Sequence, residues 1–392
     1  MSNITFAKRV REIQVSAIKR MPLLARSVPG AVSLGQGIPS VPTPAYIRRK
    51  VSEWLETDPA IGKYSLQPGL PELKTAVAKV LEEKSRRSVD PESEVFITAG
   101  AMEALFTALV SVVDEGDEVL LFDPSYASHI EQVLFSGGRP VFVPLDEEDR
   151  WGVNEARLRD AVSPRTKAIV VCNPVNPTGK VFSREELQSI VNVVLEKELV
   201  LIADETYDFL VYDNVPYSSF LSFPEIKDRV IACFSFSKQF AMTGWRVGYM
   251  YAPPEVIDQA LKVHDAAVIC APTISQFAAL AALTEPNPDE GESLKATLDR
   301  RRRLTCAGLD RLRDHFSYER PEGAYYVFPK YHGSRLDSQA FATKLLEEAG
   351  VITIPGRAFG PSGEGHIRLS FGGTEQEIEE AFRRIEIWSR QQ

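Results

Sequence analysis

From about Glu94 onward, seven short apolar runs alternate with stretches of helical periodicity. The runs are Val95 to Thr98, Glu118 to Phe122, Pro140 to Val143, Ala168 to Val171, Leu199 to Ile202, Val230 to Ser235 and Val247 to Met250. Ala101 to Val113 and Ser183 to Leu195 are two of the helical segments between them. Strands that are apolar throughout must be covered on both faces, and strands separated by helices run parallel. The pattern predicts an α/β protein built on a seven-stranded, mostly parallel sheet between helices. In such sheets ligands sit at the carboxyl ends of the strands.

After a long helical stretch through Asp314 the pattern changes. Ala324 to Phe328, Val351 to Ile354 and His366 to Phe371 read as strands, with a helix near Ser338 to Glu348 and a last one from Thr374. This predicts a smaller α+β domain. At 392 residues, 44% hydrophobic and 25% charged, the chain suits a globular protein of two domains. The expected division is a large domain over 48–288 and a small one formed by 1–47 together with 289–392. There is no internal repeat and no low-complexity tract.

A net charge of −9 disfavours nucleic acid and anionic lipid as partners. Any bound anion must therefore be held by a local cluster. The run Arg300 to Arg303 lies in a helical pattern, where consecutive residues fan around the circumference, and reads as a solvated helix, with an interface as the alternative place for some of the arginines. Cys172, Cys233, Cys270 and Cys306 are far apart and lack metal-type spacing, so buried, reduced thiols in a cytoplasmic protein are expected, with no metal. Lys8, Arg9, Arg11, Glu12, Lys19 and Arg20 break up the N-terminus, which reads as an amphipathic helix rather than a signal peptide. Ala266 to Thr284 is uncharged but contains Pro272, Ser275 and Gln276, which fits a loop entering a buried helix better than a membrane span.

The strand Val230 to Phe234 leads into Ser235-Phe236-Ser237-Lys238, with Arg246 eight residues later. A lysine at a strand end is placed to form an imine with a carbonyl, while Ser235, Ser237 and Arg246 neutralise a phosphate nearby. That is a pyridoxal phosphate site in outline, although the window alone equally fits a surface lysine. Asp204 ends an apolar run, where a carboxylate keeps a pyridine nitrogen protonated. Tyr207 and Asn176 are positioned to donate to the ring oxygen, but Asn176-Pro177-Thr178-Gly179 is also a plain turn sequence.

Gly100, Ala101 and Met102 start a helix directly after a strand, and the free amides there form an anion site, a junction common in α/β proteins. Tyr126 would lie over the cofactor ring or, equally, in the core. Arg368, flanked by Ile367 and Leu369, needs a partner, and its planar fork suits a substrate α-carboxylate.

Taken in order and spacing, Tyr64 to Gly69, Gly100-Ala101-Met102, Pro124-Ser125-Tyr126, Asn176 to Gly179, Asp204 to Tyr207, Ser235 to Lys238, Arg246 and Arg368 resemble the class I and II aminotransferases of pyridoxal phosphate fold type I. The resemblance runs from Ser33 to Ser370. It implies that Lys238 is the Schiff-base lysine and proton shuttle, Asp204 the partner of the pyridine nitrogen, and Tyr207 and Asn176 the ring-oxygen contacts. It further implies that Ser235, Arg246 and the amides of Ala101 and Met102 hold the phosphate, and that Arg368 with the Gly37 backbone grips the substrate carboxylate. A homodimer with shared sites follows, Tyr64 reaching the phosphate of the neighbouring subunit.

The expected reaction moves the amino group of an L-amino acid to a 2-oxo acid such as 2-oxoglutarate by ping-pong kinetics. Relatives acting on aspartate and prephenate often carry a lysine where this chain has Met102, which favours neutral aromatic or aliphatic donors and leaves aspartate possible. The same motifs also serve a cysteine-conjugate β-lyase or an enzyme like aminocyclopropane carboxylate synthase. A transcription regulator of this fold would carry a DNA-binding domain ahead of it, whereas here the fold is expected to begin within the first few dozen residues.

Overall fold

The computed structural model describes residues 4–13, 17–287 and 293–391. The short strand β1 (Val32–Ser33) comes first. The main sheet is formed by β2 (Val95–Thr98), β3 (Glu118–Asp123), β4 (Arg139–Pro144), β5 (Thr166–Cys172), β6 (Val200–Asp204), β7 (Val230–Ser235) and β8 (Gly248–Tyr251). Their order across the sheet is β2-β8-β7-β6-β5-β3-β4. Only β8 runs against its neighbours, so the mostly parallel seven-stranded sheet expected from the sequence is present.

Side chains alternate between two cores, one on each face. Val95, Leu120, Ile169, Leu201, Ala232 and Tyr249 join one; Phe96, Leu121, Val170, Ile202, Ile231 and Met250 join the other. The period of two sends neighbours to opposite faces, and helices close both. Leu187, Ile190, Val191 and Val194 of the helix Arg184–Glu196 cover the first face. Ala104, Leu105 and Leu109 of the helix Ala101–Val112 cover the second. Each fully buried Val, Leu, Ile or Phe contributes roughly 1.5–3 kcal/mol. The helix Arg184–Glu196 begins with a reciprocal cap between Ser183 and Glu186.

The remaining strands are β9 (Phe316–Ser317), β10 (Tyr326–Val327), β11 (Lys330–Tyr331), β12 (Val351–Ile352), β13 (Ile354–Pro355) and β14 (Ile367–Ser370). β14 lies antiparallel between β10 and β13, and β1 pairs in parallel with β12. The run Val351 to Ile354 is therefore two strands in different sheets, split at Thr353. Helices Ser338–Ala349 and Glu375–Ser389 pack around them, the second capped reciprocally by Thr374 and Glu377. The expected domain boundary at 288/289 lies outside the described residues.

The arginine run is not a solvated face. In the helix Leu294–Asp310, Arg301 and Arg302 are buried. Arg302 clamps Asp213 with both Nη atoms at 2.7 Å, bonds Asp299 at 2.9 Å and stacks over Tyr212. Arg301 donates to the Gly372 carbonyl at 3.1 Å. The fanning of consecutive residues is real, but two of the four positions point inward, where each meets a fixed acceptor. The four cysteines are all buried and unpaired. Ala266 to Thr284 is a helix end, a loop and the buried helix Thr273–Thr284. Among the described residues no helix is long and apolar enough to cross a membrane.

Candidate active site

A cavity of about 550 Å³ opens at the carboxyl ends of the parallel strands. It is lined by residues spread from Ile18 to Arg368, so it exists only when distant segments meet. Most of the residues singled out from the sequence line it: Gly37, Ala101, Met102, Tyr126, Asn176, Asp204, Tyr207, Ser235, Ser237, Lys238, Arg246 and Arg368. Gly100 stands just behind the wall, in contact with Arg246. Tyr64 does not line it and is 78% exposed.

Lys238 follows β7 in the single turn Phe236–Gln239, which is capped by Ser235 Oγ accepting from the Ser237 amide at 3.1 Å. Its Nζ donates to the Gly37 carbonyl at 2.8 Å. Burial, then the guanidinium groups of Arg368 and Arg246, push the amine down to about 8 against the opposing pull of Asp204. A neutral amine is thus within reach near neutral pH, as a nucleophile or proton acceptor requires.

Asp204 is the last residue of β6 and is buried. Burial raises its carboxyl, but the His129 ring nitrogen at 3.0 Å and the Thr206 amide at 3.1 Å outweigh that and hold it below its ordinary value. His129 leans in turn towards Ser125 Oγ at 3.4 Å. The result is a buried anion, oriented by a neighbouring ring, facing a cavity.

The corner from β2 into the helix Ala101–Val112 runs through Gly100 at φ +83°. A Cβ there would lie 2.6 Å from Arg246 Nη2, so only glycine lets the guanidinium reach the helix N-terminus. Arg246 itself adopts φ +53° and donates to the carbonyls of Thr243 and Ala99. Free amides, a dipole and a guanidinium converge on a space that a side chain would block.

Arg368, on β14, is buried, with Nη1 on Asn176 Oδ1 at 3.1 Å and Nη2 on the Gly35 carbonyl at 2.7 Å. Its Nε has no hydrogen-bond partner among the described residues. The guanidinium rests over the Tyr326 ring at 4.4 Å, and Tyr326 shares a 2.8 Å hydrogen bond with Tyr207. Tyr325 donates to the same Gly37 carbonyl at 2.6 Å.

These features fit pyridoxal phosphate: an anion cradle that only glycine keeps open, an amine with a depressed pKa, and a buried carboxylate suited to a pyridinium. The sequence reading missed His129, Tyr325 and Tyr326. His129 lies in a helix with no local sign of its bond to a residue 75 positions away. It also missed the segment Ala17–Leu24, whose Ile18, Lys19, Pro22 and Leu23 form the outer wall.

Residues 29–385 match the model of the family described as aminotransferase class I and II. The chain is 34% identical to an aspartate aminotransferase of Pyrococcus abyssi, over 98% of each chain. It is 33% identical to aromatic-amino-acid aminotransferase 2 of Thermococcus litoralis, again over 98% of each. Among solved structures, the aspartate aminotransferase of Thermus thermophilus with maleate superposes with a TM-score of 0.90 at 33% identity, covering 97% of this chain and 99% of that one. With sheet, site and nearly full-length sequence in agreement, the chain belongs to the class I and II aminotransferase family.

Proposed function

We propose that this aminotransferase uses pyridoxal phosphate to move the α-amino group of a neutral aromatic or aliphatic L-amino acid to a 2-oxo acid such as 2-oxoglutarate, in two alternating half-reactions. The observation that carries the donor class is the outer wall of the cavity. Ile18, Pro22, Leu23, Ile38, Met102 and Leu105 line the same cavity as Arg368, so a donor side chain held there meets apolar surface. Lys19 on the same wall favours a second reading, in which aspartate is the donor. The names of several relatives agree with that second reading.

Pyridoxal phosphate supplies an aldehyde that condenses with amines and a ring that withdraws electrons from the carbon beside them. Asp204 would hold the ring nitrogen protonated, and Tyr207 and Asn176 would contact the ring oxygen. Tyr126 would cover the ring. Gly100, Ser235, Ser237, Arg246 and the amides of Ala101 and Met102 would hold the phosphate. Arg368 would fix the donor carboxylate beside Gly37, leaving the Cα–H bond turned towards Lys238 Nζ. The freed, neutral Lys238 would then take the Cα proton.

Residues 48–288 would form the unit that seats the cofactor, and 1–47 with 289–392 the unit that brings Gly37 and Arg368 to it. The exposure of Tyr64 and Leu66 supports a homodimer in which Tyr64 completes the partner's site. Four buried, unpaired thiols suit the cytoplasm. The test is the initial rate with 2-oxoglutarate and a panel of donors. Phenylalanine or leucine should exceed aspartate in kcat/KM; aspartate exceeding every neutral donor would sink the donor assignment. Pyruvate and ammonia from a cysteine conjugate, with no 2-oxoglutarate requirement, would replace transamination by β-elimination.

A further inference from the structure

Glu103 stands in the first turn of the helix Ala101–Val112, the proposed seat of the phosphate. A carboxylate there should repel a second anion and compete for the same amides. The side chain is turned backward instead. Glu103 Oε2 accepts the amide of Ala99, one residue before the N-cap, and Oε1 meets Nδ1 of His264.

His264 comes from the neighbouring helix Pro254–Ala267 and is fully buried, with its ring edge-on to Phe96 at 4.6 Å. Among the described residues its Nε2 has no hydrogen-bond partner, so the ring's polar contact there is the one to Glu103. Because a carboxylate only accepts, Nδ1 carries the proton. Ala99 is thereby held at both of its backbone groups, its amide by Glu103 and its carbonyl by Arg246 Nη2 at 3.3 Å.

We infer that His264 is a positioning residue for the phosphate seat, holding the Glu103 carboxylate on the Ala99 amide and off the amides of Ala101 and Met102. Without a donor at this point, a carboxylate that is mostly buried loses its partner and is drawn to the free amides of its own helix. It then occupies the position of the anion. The inference rests on the reading that this helix start seats the cofactor's phosphate.

The test compares two ligands that differ only in the phosphate. Dissociation constants of the cofactor-free protein are measured for pyridoxal phosphate and for pyridoxal. A wild-type protein that does not favour the phosphorylated ligand would refute the phosphate seat itself, a separate failure. Given that preference, His264→Leu should reduce the ratio of the two constants about tenfold. His264→Asn, which keeps a donor near the position of Nδ1, should restore it to within about twofold of wild type. Equal ratios in wild type and His264→Leu would overturn the inference, as would an Asn variant behaving like Leu. Should the Leu variant not fold, Glu103→Gln decides. Removing the charge while keeping the cap on Ala99 should raise the ratio about threefold, and an unchanged or lower ratio overturns the inference.

Discussion

Lys238 Nζ rests on the carbonyl oxygen of Gly37, 2.8 Å away and 201 positions earlier in the chain. The same oxygen accepts from Tyr325, so the carbonyl that stations the amine beside the cavity is itself held in place. Replacing Lys238 by alanine removes the amine that lines the cavity together with Asp204 and Ser235. Lys238→Ala is expected to bind pyridoxal phosphate without the visible absorption band of lysine-linked cofactor and to lose transamination by at least about a thousandfold. Persistence of that band would place the covalent bond on another lysine.

The depressed pKa of this amine gives a pH dependence with a definite sign. Only the neutral form attacks an aldehyde, and half of it is neutral at about 8. The rate at which cofactor-free protein captures pyridoxal phosphate should therefore climb as pH rises and level off above about 8. Stopped-flow absorbance reads this directly. A rate still climbing steeply at pH 10 would mean that burial and the two arginines do not lower the amine.

Arg368 is held by Asn176 and Gly35 with Nε unpartnered. Arg368→Ala should raise KM for every α-amino acid about a hundredfold, the loss typical when one partner of a desolvated charge pair is removed. Unchanged KM across the donor panel would remove Arg368 from the substrate site. Arg368→Lys should recover little, since a point charge does not reproduce the fork.

Met102 is the position at which donor choice is most easily moved. Met102→Lys adds a second cation to the wall that already carries Lys19, and should raise kcat/KM for aspartate relative to phenylalanine about tenfold. No change in that ratio would place the side-chain pocket elsewhere.

Glu205, next to the proposed pyridine partner, carries a stability prediction. Burial pushes its carboxyl from 4.5 up to about 7, despite acceptor bonds to Tyr217, Ser219 and the Phe220 amide. The folded state therefore binds this proton more tightly than the unfolded chain does. Stability from this group is fully present below about 4.5 and declines as pH rises to about 7. Glu205→Gln, whose amide still satisfies Tyr217, should gain on the order of 2 kcal/mol over wild type at pH 8 and little at pH 5. Equal differences at both pH values, measured by thermal unfolding, would contradict the raised value.

Much of the sheet was legible because its strands are apolar on both faces and end in residues that stop a strand. Val95 to Thr98 and Val230 to Ser235 were read to the residue. The small strands were harder, since two-residue pairings such as β12 with β1 leave no periodic trace. Local spacing brought out Asp204, Lys238 and Arg246, each just past an apolar run. It gave no access to His129, Tyr326 or His264, whose roles depend on contacts made only by the folded chain. The buried pair Arg301 and Arg302 was misread for the same reason: Asp213 and the Gly372 carbonyl, distant in sequence, supply the acceptors.

The pairing of β1 with β12 has a consequence for the order of synthesis. Val32 and Ser33 leave the ribosome long before the strand they bind, Val351–Ile352, so the early partner must wait for the late one. Gly35 lies just beyond that early strand, and Arg368 comes later still, on β14. A growing chain can thus assemble the main sheet, Lys238 and Arg246 well before Arg368 bonds the Gly35 carbonyl. During translation, the proposed seat of the phosphate can therefore form ahead of the proposed grip on the amino acid, which waits for β14.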